Sequence, residues 1–146
     1  MSGRFWLALA VVLASAVPAF ADDKAECDYL EISASTGKDA AIDADLKPLE
    51  KKLKKPPFSS WNVFHTLTSG HVTLAKDKPV TMKLKQGQST VLLRDRSDKR
   101  LELTITIDDA SGKRVLDNKQ SANAGEWLLF GQNVGDNGHI VALTCK

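Results

Sequence analysis

Leu101, Leu103, Ile105 and Ile107 alternate without a break with Glu102, Thr104 and Thr106. A side-chain period of two suits a half-buried strand and cannot form one face of a helix. The same period recurs at Val80, Met82 and Leu84, which alternate with Thr81, Lys83 and Lys85. Within Cys27–Ala34 it places Leu30, Ile32 and Ala34 on one face. Further strand-like runs are Ser60–Leu67, His71–Ala75, Thr90–Arg94, Arg114–Leu116, Glu126–Gly131 and His139–Cys145. Turn residues separate them: Ser69-Gly70, Gln86-Gly87-Gln88, Asp108–Lys113 around Gly112, and Gly135–Gly138. The stretch RDRSDKR, 94–100, reads as a solvated hairpin tip. Short strands spaced by roughly 8–12 residues predict a mainly β fold, an antiparallel β-sandwich or a partly closed barrel.

One segment breaks the period. Ile42, Leu46, Leu49 and Leu53 recur at helical spacing, which predicts an N-terminal amphipathic helix over Ile42–Lys55. Asp43 and Asp45 stand at its start, and Lys51, Lys52, Lys54 and Lys55 at its end, the order a helix dipole favours. Asp45 is the expected N-cap, with Pro48 in the first turn. Pro56-Pro57 stops the helix.

Residues 1–21 carry a different message. Arg4 precedes the apolar run Phe5–Val17; Pro18 and Ala19-Phe20-Ala21 follow. This is the pattern of a secretory signal peptide cleaved after Ala21. The alternative, an uncleaved anchor, is disfavoured because a span needs about 20 apolar residues. No lipobox cysteine follows the run, so a lipid-anchored form is not expected. Cleavage leaves residues 22–146, a single domain's length, soluble and periplasmic or secreted. The formal net charge of +2 loses one unit with Arg4, too little basic excess for a nucleic-acid binder.

The two cysteines, Cys27 and Cys145, stand at opposite ends of the exported part. In an oxidising compartment this predicts one disulfide; two free thiols or an intermolecular bridge are the alternatives. There is no C-x-x-C, so redox catalysis is not expected.

Residue types with catalytic or ligating capacity are scattered. His65, His71 and His139 have imidazoles suited to zinc, copper or general-base work, and His65 and His71 flank a predicted turn across which they would approach. No HExxH helix accompanies them, and rim or surface positions are the plainer reading. Ser60 with a histidine and Asp95 is the only triad worth naming, and no G-x-S-x-G or S-x-x-K motif supports it. Asp108-Asp109 reads as turn chemistry and lacks the spaced ligands of a calcium loop. No catalytic residue, metal or cofactor is therefore assigned. Two groups remain as interaction candidates. One is the lysine cluster Lys47, Lys51, Lys52, Lys54 and Lys55, suited to an anionic lipid or lipopolysaccharide surface. The other is the aromatic set Trp61, Phe64 and Trp127, suited to a groove.

Residues 54–144 resemble a group of small exported β-rich proteins of Gram-negative bacteria. The resemblance is carried by KKPPFSSWNVF at 54–64, the turn at Gly87, RLELTITIDDASGK at 100–113, AGEWLLFGQ at 124–132 and GHIVAL at 138–143. It implies an envelope or secreted β-domain and brings no activity with it. The expected function is an exported, non-catalytic binding or accessory domain of the cell envelope with an envelope or secreted protein partner. The alternatives are a small secreted histidine-dependent hydrolase or effector, and a binder of anionic membrane surfaces through the lysine helix.

Overall fold

The computed structural model describes residues 23–146. The signal-peptide reading of residues 1–21 falls outside the described residues. Among the described residues nine strands are formed: β1 (Lys24–Ser35), β2 (Ala41–Ile42), β3 (Val63–Ala75), β4 (Val80–Leu84), β5 (Gly87–Arg96), β6 (Arg100–Asp108), β7 (Arg114–Asn123), β8 (Trp127–Val134) and β9 (Asn137–Cys145). Between β2 and β3 lie a 3-10 turn (Ala44–Leu49), one α-helical turn, α1 (Glu50–Leu53), and a second 3-10 turn (Phe58–Ser60).

The strands make two open sheets, one ordered β2-β3-β1-β9-β8 and the other β4-β5-β6-β7. Neither closes on itself, so the partly closed barrel is not formed. All pairings between these strands are antiparallel except the two-residue parallel contact of β2 with β3. Among the described residues no helix is long and apolar enough to cross a membrane.

The alternating pattern explains the core between the sheets. Met82, Val91, Leu93, Leu101, Leu103, Ile105 and Ile107 face inward from the four-stranded sheet. They meet Ala25, Cys27, Leu74, Val141, Leu143 and Cys145 from the five-stranded sheet. A second apolar cluster lies on the other face of the five-stranded sheet. There Leu46, Leu49 and Leu53 of the helical segment pack with Ile32, Ala34, Ile140 and Ala142. β1 and β9 are therefore covered on both faces, and Gly138–Leu143 is a continuous buried run. Such strands lose the polar half of the alternation.

The predicted helix is shorter and tighter than its spacing implies. Ile42 belongs to β2, and only Glu50–Leu53 is α-helical. Pro48 has no N–H to donate, and Pro56-Pro57 closes the other end, leaving too few residues for a longer α-helix. Asp45 does not cap: it lies inside the first 3-10 turn and accepts a hydrogen bond from the Thr66 hydroxyl at 2.8 Å. The strands predicted on either side of Ser69-Gly70 are one continuous strand, β3. Gly70 is not a turn residue there; it lies opposite Tyr29 in the β1 register, under the phenol ring. The predicted Arg114–Leu116 strand extends to Asn123 as a full sheet edge.

Cys27 and Cys145 form one intrachain disulfide across directly opposed positions of β1 and β9. Glu26 and Lys146 exchange backbone hydrogen bonds beside it, at 3.0 and 2.8 Å. The RDRSDKR tip is not simply solvated. Arg96 reaches back to donate through Nη1 to the carbonyls of Lys24, at 2.5 Å, and Lys146, at 2.8 Å.

The turn at Gly87 is tightly constrained. Its φ is +119°, and a Cβ there would run into the carbonyl oxygen of Asp108. Gly87→Ala is expected to destabilise the fold by at least about 2 kcal/mol, from the combined backbone strain and clash. A shift of the urea midpoint to lower concentration with unchanged slope checks this.

Candidate functional site

The covering segment leaves one largely apolar cleft of about 380 Å³ between itself and the β2–β3 edge. Ile42, Leu53, Trp61 and Phe64 give it apolar walls, and Glu50 and Lys54 stand among its polar lining. Local chemistry fixes each wall. The Asp43 carboxylate accepts from the backbone N–H of Thr66 at 2.8 Å and lies 2.9 Å from His65 Nδ1, which ties the start of the segment to β3. The His65 contact, helped by the Thr66 N–H, holds the Asp43 pKa below its ordinary value. Asn62 bonds both the N–H and the carbonyl of Gly37 through its side chain, at 2.8 and 2.9 Å, and anchors the opposite loop. Trp61 donates its Nε1 proton to the carbonyl of Asp136 at 3.0 Å. Its ring covers Gly138 so closely that a Cβ there would come within 2.6 Å of it. Trp61 is thus a fixed wall.

The aromatic set is only partly brought together. Trp61 and Phe64 line the cleft. Trp127, on β8, packs against the same outer cluster with Phe58 and Leu129 but does not line it.

The lysines of the segment are all exposed, while Leu46, Leu49 and Leu53 are at most 1% exposed. Glu50 is the local counter-charge: Lys54 Nζ lies 2.8 Å from one carboxylate oxygen and Lys47 Nζ 3.9 Å from the other. The hydrogen bond from Lys54 holds the Glu50 pKa below its usual range. Among the described residues Lys51, Lys52 and Lys55 have no carboxylate within ion-pair distance.

The histidines do not converge. His65 and His71 lie six positions apart on the single strand β3, about 20 Å at strand rise. Each has its own acidic neighbours. His71 contacts Asp28 at 2.8 Å and Glu26 at 2.5 Å on the exposed end of the sheet. Those two contacts raise the His71 pKa, Asp28 contributing most, and the hydrogen bond from His71, helped by Thr73, lowers that of Glu26. Ser60 donates to the Pro57 carbonyl, and Asp95 is paired with Lys76 in the four-stranded sheet, so the Ser60–histidine–Asp95 triad is not assembled.

His139 is the departure from the sequence reading. It is not a rim residue but 2% exposed, with Nε2 donating to Glu31 Oε2 at 2.7 Å. Glu31 is itself fully buried. Its Oε1 accepts from the N–H of Lys85 at 2.7 Å and its Oε2 from that of Gln86 at 2.9 Å. Burial pushes the Glu31 carboxyl up, but the hydrogen bonds from His139, Lys85 and Gln86 outweigh it and hold the pKa at about 2 instead of 4.5. One carboxylate on β1 thus clamps the β4–β5 turn of the other sheet. Glu31 looked like an outward residue because Leu30 and Ile32 point the other way. The available signal was a glutamate within a strand that also carries a cysteine and small apolar residues.

No protein-family model, curated protein or solved structure matches the chain, so the resemblance of residues 54–144 to small exported Gram-negative proteins gains no support from those comparisons.

Proposed function

We propose that this chain is an exported, non-catalytic binding domain of the cell envelope, a disulfide-closed β-sandwich that receives an apolar group beside Trp61 and Phe64. The observation that carries this reading is the cleft of about 380 Å³. That volume lies in the range of roughly 300–1,000 Å³ typical of small-ligand sites. Its floor is preorganised, because Trp61 is held by Asp136 and stacked over Gly138, so little ordering cost falls on binding. The Cys27–Cys145 disulfide supports an oxidising location, periplasmic or secreted.

A neutral apolar dye, N-phenylnaphthylamine, tests it. Fluorescence enhancement on titration is expected with the exported protein. Ala41→Trp, which places an indole at an exposed lining position, is expected to weaken dye binding roughly tenfold, about 1.4 kcal/mol, with little change in the thermal midpoint. Absence of enhancement, or equal binding by the plugged variant, would overturn the reading.

A further inference from the structure

We infer that the cleft takes a single-chain anionic amphiphile, its hydrocarbon end against Ile42, Trp61 and Phe64 and its anionic head beside Lys54 and Lys47. This rests on the cleft being a binding site and adds the chemical class of what it binds.

Charge complementarity is the first argument. Residues 47–55 carry five lysines against the single carboxylate of Glu50. Lys54 lines the cleft, and Lys47 converges with it on Glu50. The Lys54–Glu50 pair is exposed, with 71% and 30% of the side chains accessible. Exposed pairs of this kind are weak, so an incoming carboxylate or phosphate can take over either lysine at little cost.

The second argument separates a single amphiphile from a bilayer surface. A helix that lies on a membrane needs a free apolar face to bury there. Here Leu46, Leu49 and Leu53 are already spent on the sheet. What remains apolar and reachable is concave, which fits one chain and not a plane of lipid. Lys54, with Lys47 beside it across Glu50, therefore gives the cleft its cationic rim.

Decanoate, decanol and decylamine share one chain and differ in head charge. Titrated into the exported protein at low salt, with tryptophan fluorescence as the readout, they are expected to bind in that order, decanoate tightest. The Lys47→Glu/Lys54→Glu variant is expected to lose decanoate affinity roughly tenfold and decanol affinity hardly at all. Glu50→Gln should act in the opposite direction, tightening decanoate severalfold by freeing both lysines. The decanoate preference should shrink as ionic strength rises.

Equal binding of decanol and decanoate, both blocked by Ala41→Trp, would overturn the anionic assignment and leave the cleft reading standing, as for a neutral side chain of a protein partner. Binding of none of the three would overturn both. Binding to phosphatidylglycerol vesicles without binding of monomeric decanoate would overturn the single-amphiphile assignment in favour of a membrane surface.

Discussion

Glu31→Ala is expected to cost about 3–5 kcal/mol of stability, because three donors lose their acceptor at roughly 1–3 kcal/mol each. The substitution leaves His139 Nε2 and the part-buried N–H groups of Lys85 and Gln86 without their common acceptor. A domain of this size has about 5–15 kcal/mol in total, so the variant should be largely unfolded well below the wild-type midpoint. Glu31→Gln keeps one acceptor oxygen but turns an amide NH₂ toward donors, and should fall between the two. Glu31→Leu with His139→Leu should recover only part of the loss, since the two backbone N–H groups stay unpaired. Urea unfolding of the four proteins checks the order. A Glu31→Ala protein as stable as wild type would mean that the clamp carries no load.

The same carboxylate shapes the acid limb. Its folded pKa of about 2 lies below the ordinary value of 4.5. Its contribution is therefore complete above pH 4.5 and is lost as pH falls toward 2. Glu26, Asp43, Glu50 and Asp109 are also lowered by their hydrogen bonds and act in the same direction. They are exposed or half-buried, so salt should damp their share more than that of Glu31. Unfolding midpoints between pH 5 and 2 at high salt should fall less steeply in Glu31→Gln than in wild type.

Replacing both cysteines, Cys27→Ala with Cys145→Ala, is expected to remove about 4–5 kcal/mol. The sequence separation of 118 residues is large, so the bridge removes much freedom from the unfolded chain. β1 and β9 keep their backbone ladder without it, so the variant should fold at low temperature and melt more than about 10 °C earlier. Thermal unfolding with and without reductant gives the same comparison on wild type. An unchanged midpoint under full reduction would show that the ladder and the two cores, not the bridge, hold the ends together.

Strands with one wet face were legible, because their alternation is the direct imprint of one buried side. Val80–Leu84 is found where its pattern placed it, and β6 extends the Leu101–Ile107 alternation by one residue at each end. The disulfide was legible from two cysteines, Cys27 and Cys145, in a chain expected from its sequence to be exported. The helical segment was legible in place but not in form: the leucine spacing marks which side is buried, while Pro48 and the following prolines decide how much of it is α-helical. The lysines and Trp61 and Phe64 were visible as types, but nothing in their order says that a cleft opens between α1 and the β2–β3 edge. That cleft exists because Trp61 reaches Asp136 and covers Gly138, over 70 residues away.

Glu31 and His139 show the limit most clearly. They are 108 residues apart, and their proximity depends on β9 lying beside β1. Local periodicity records which side of a strand is apolar. It does not record that the polar side of Glu31 is roofed by a turn from another sheet, whose N–H groups make a buried charge tolerable. The sequence by itself determined the half-buried strands such as Val80–Leu84 and Leu101–Ile107, the covered face of the helical segment and the Cys27–Cys145 bridge, because each follows from near neighbours or from a unique pair. Only the tertiary structure decided the clamp and the cleft, because both are made where segments remote in sequence meet.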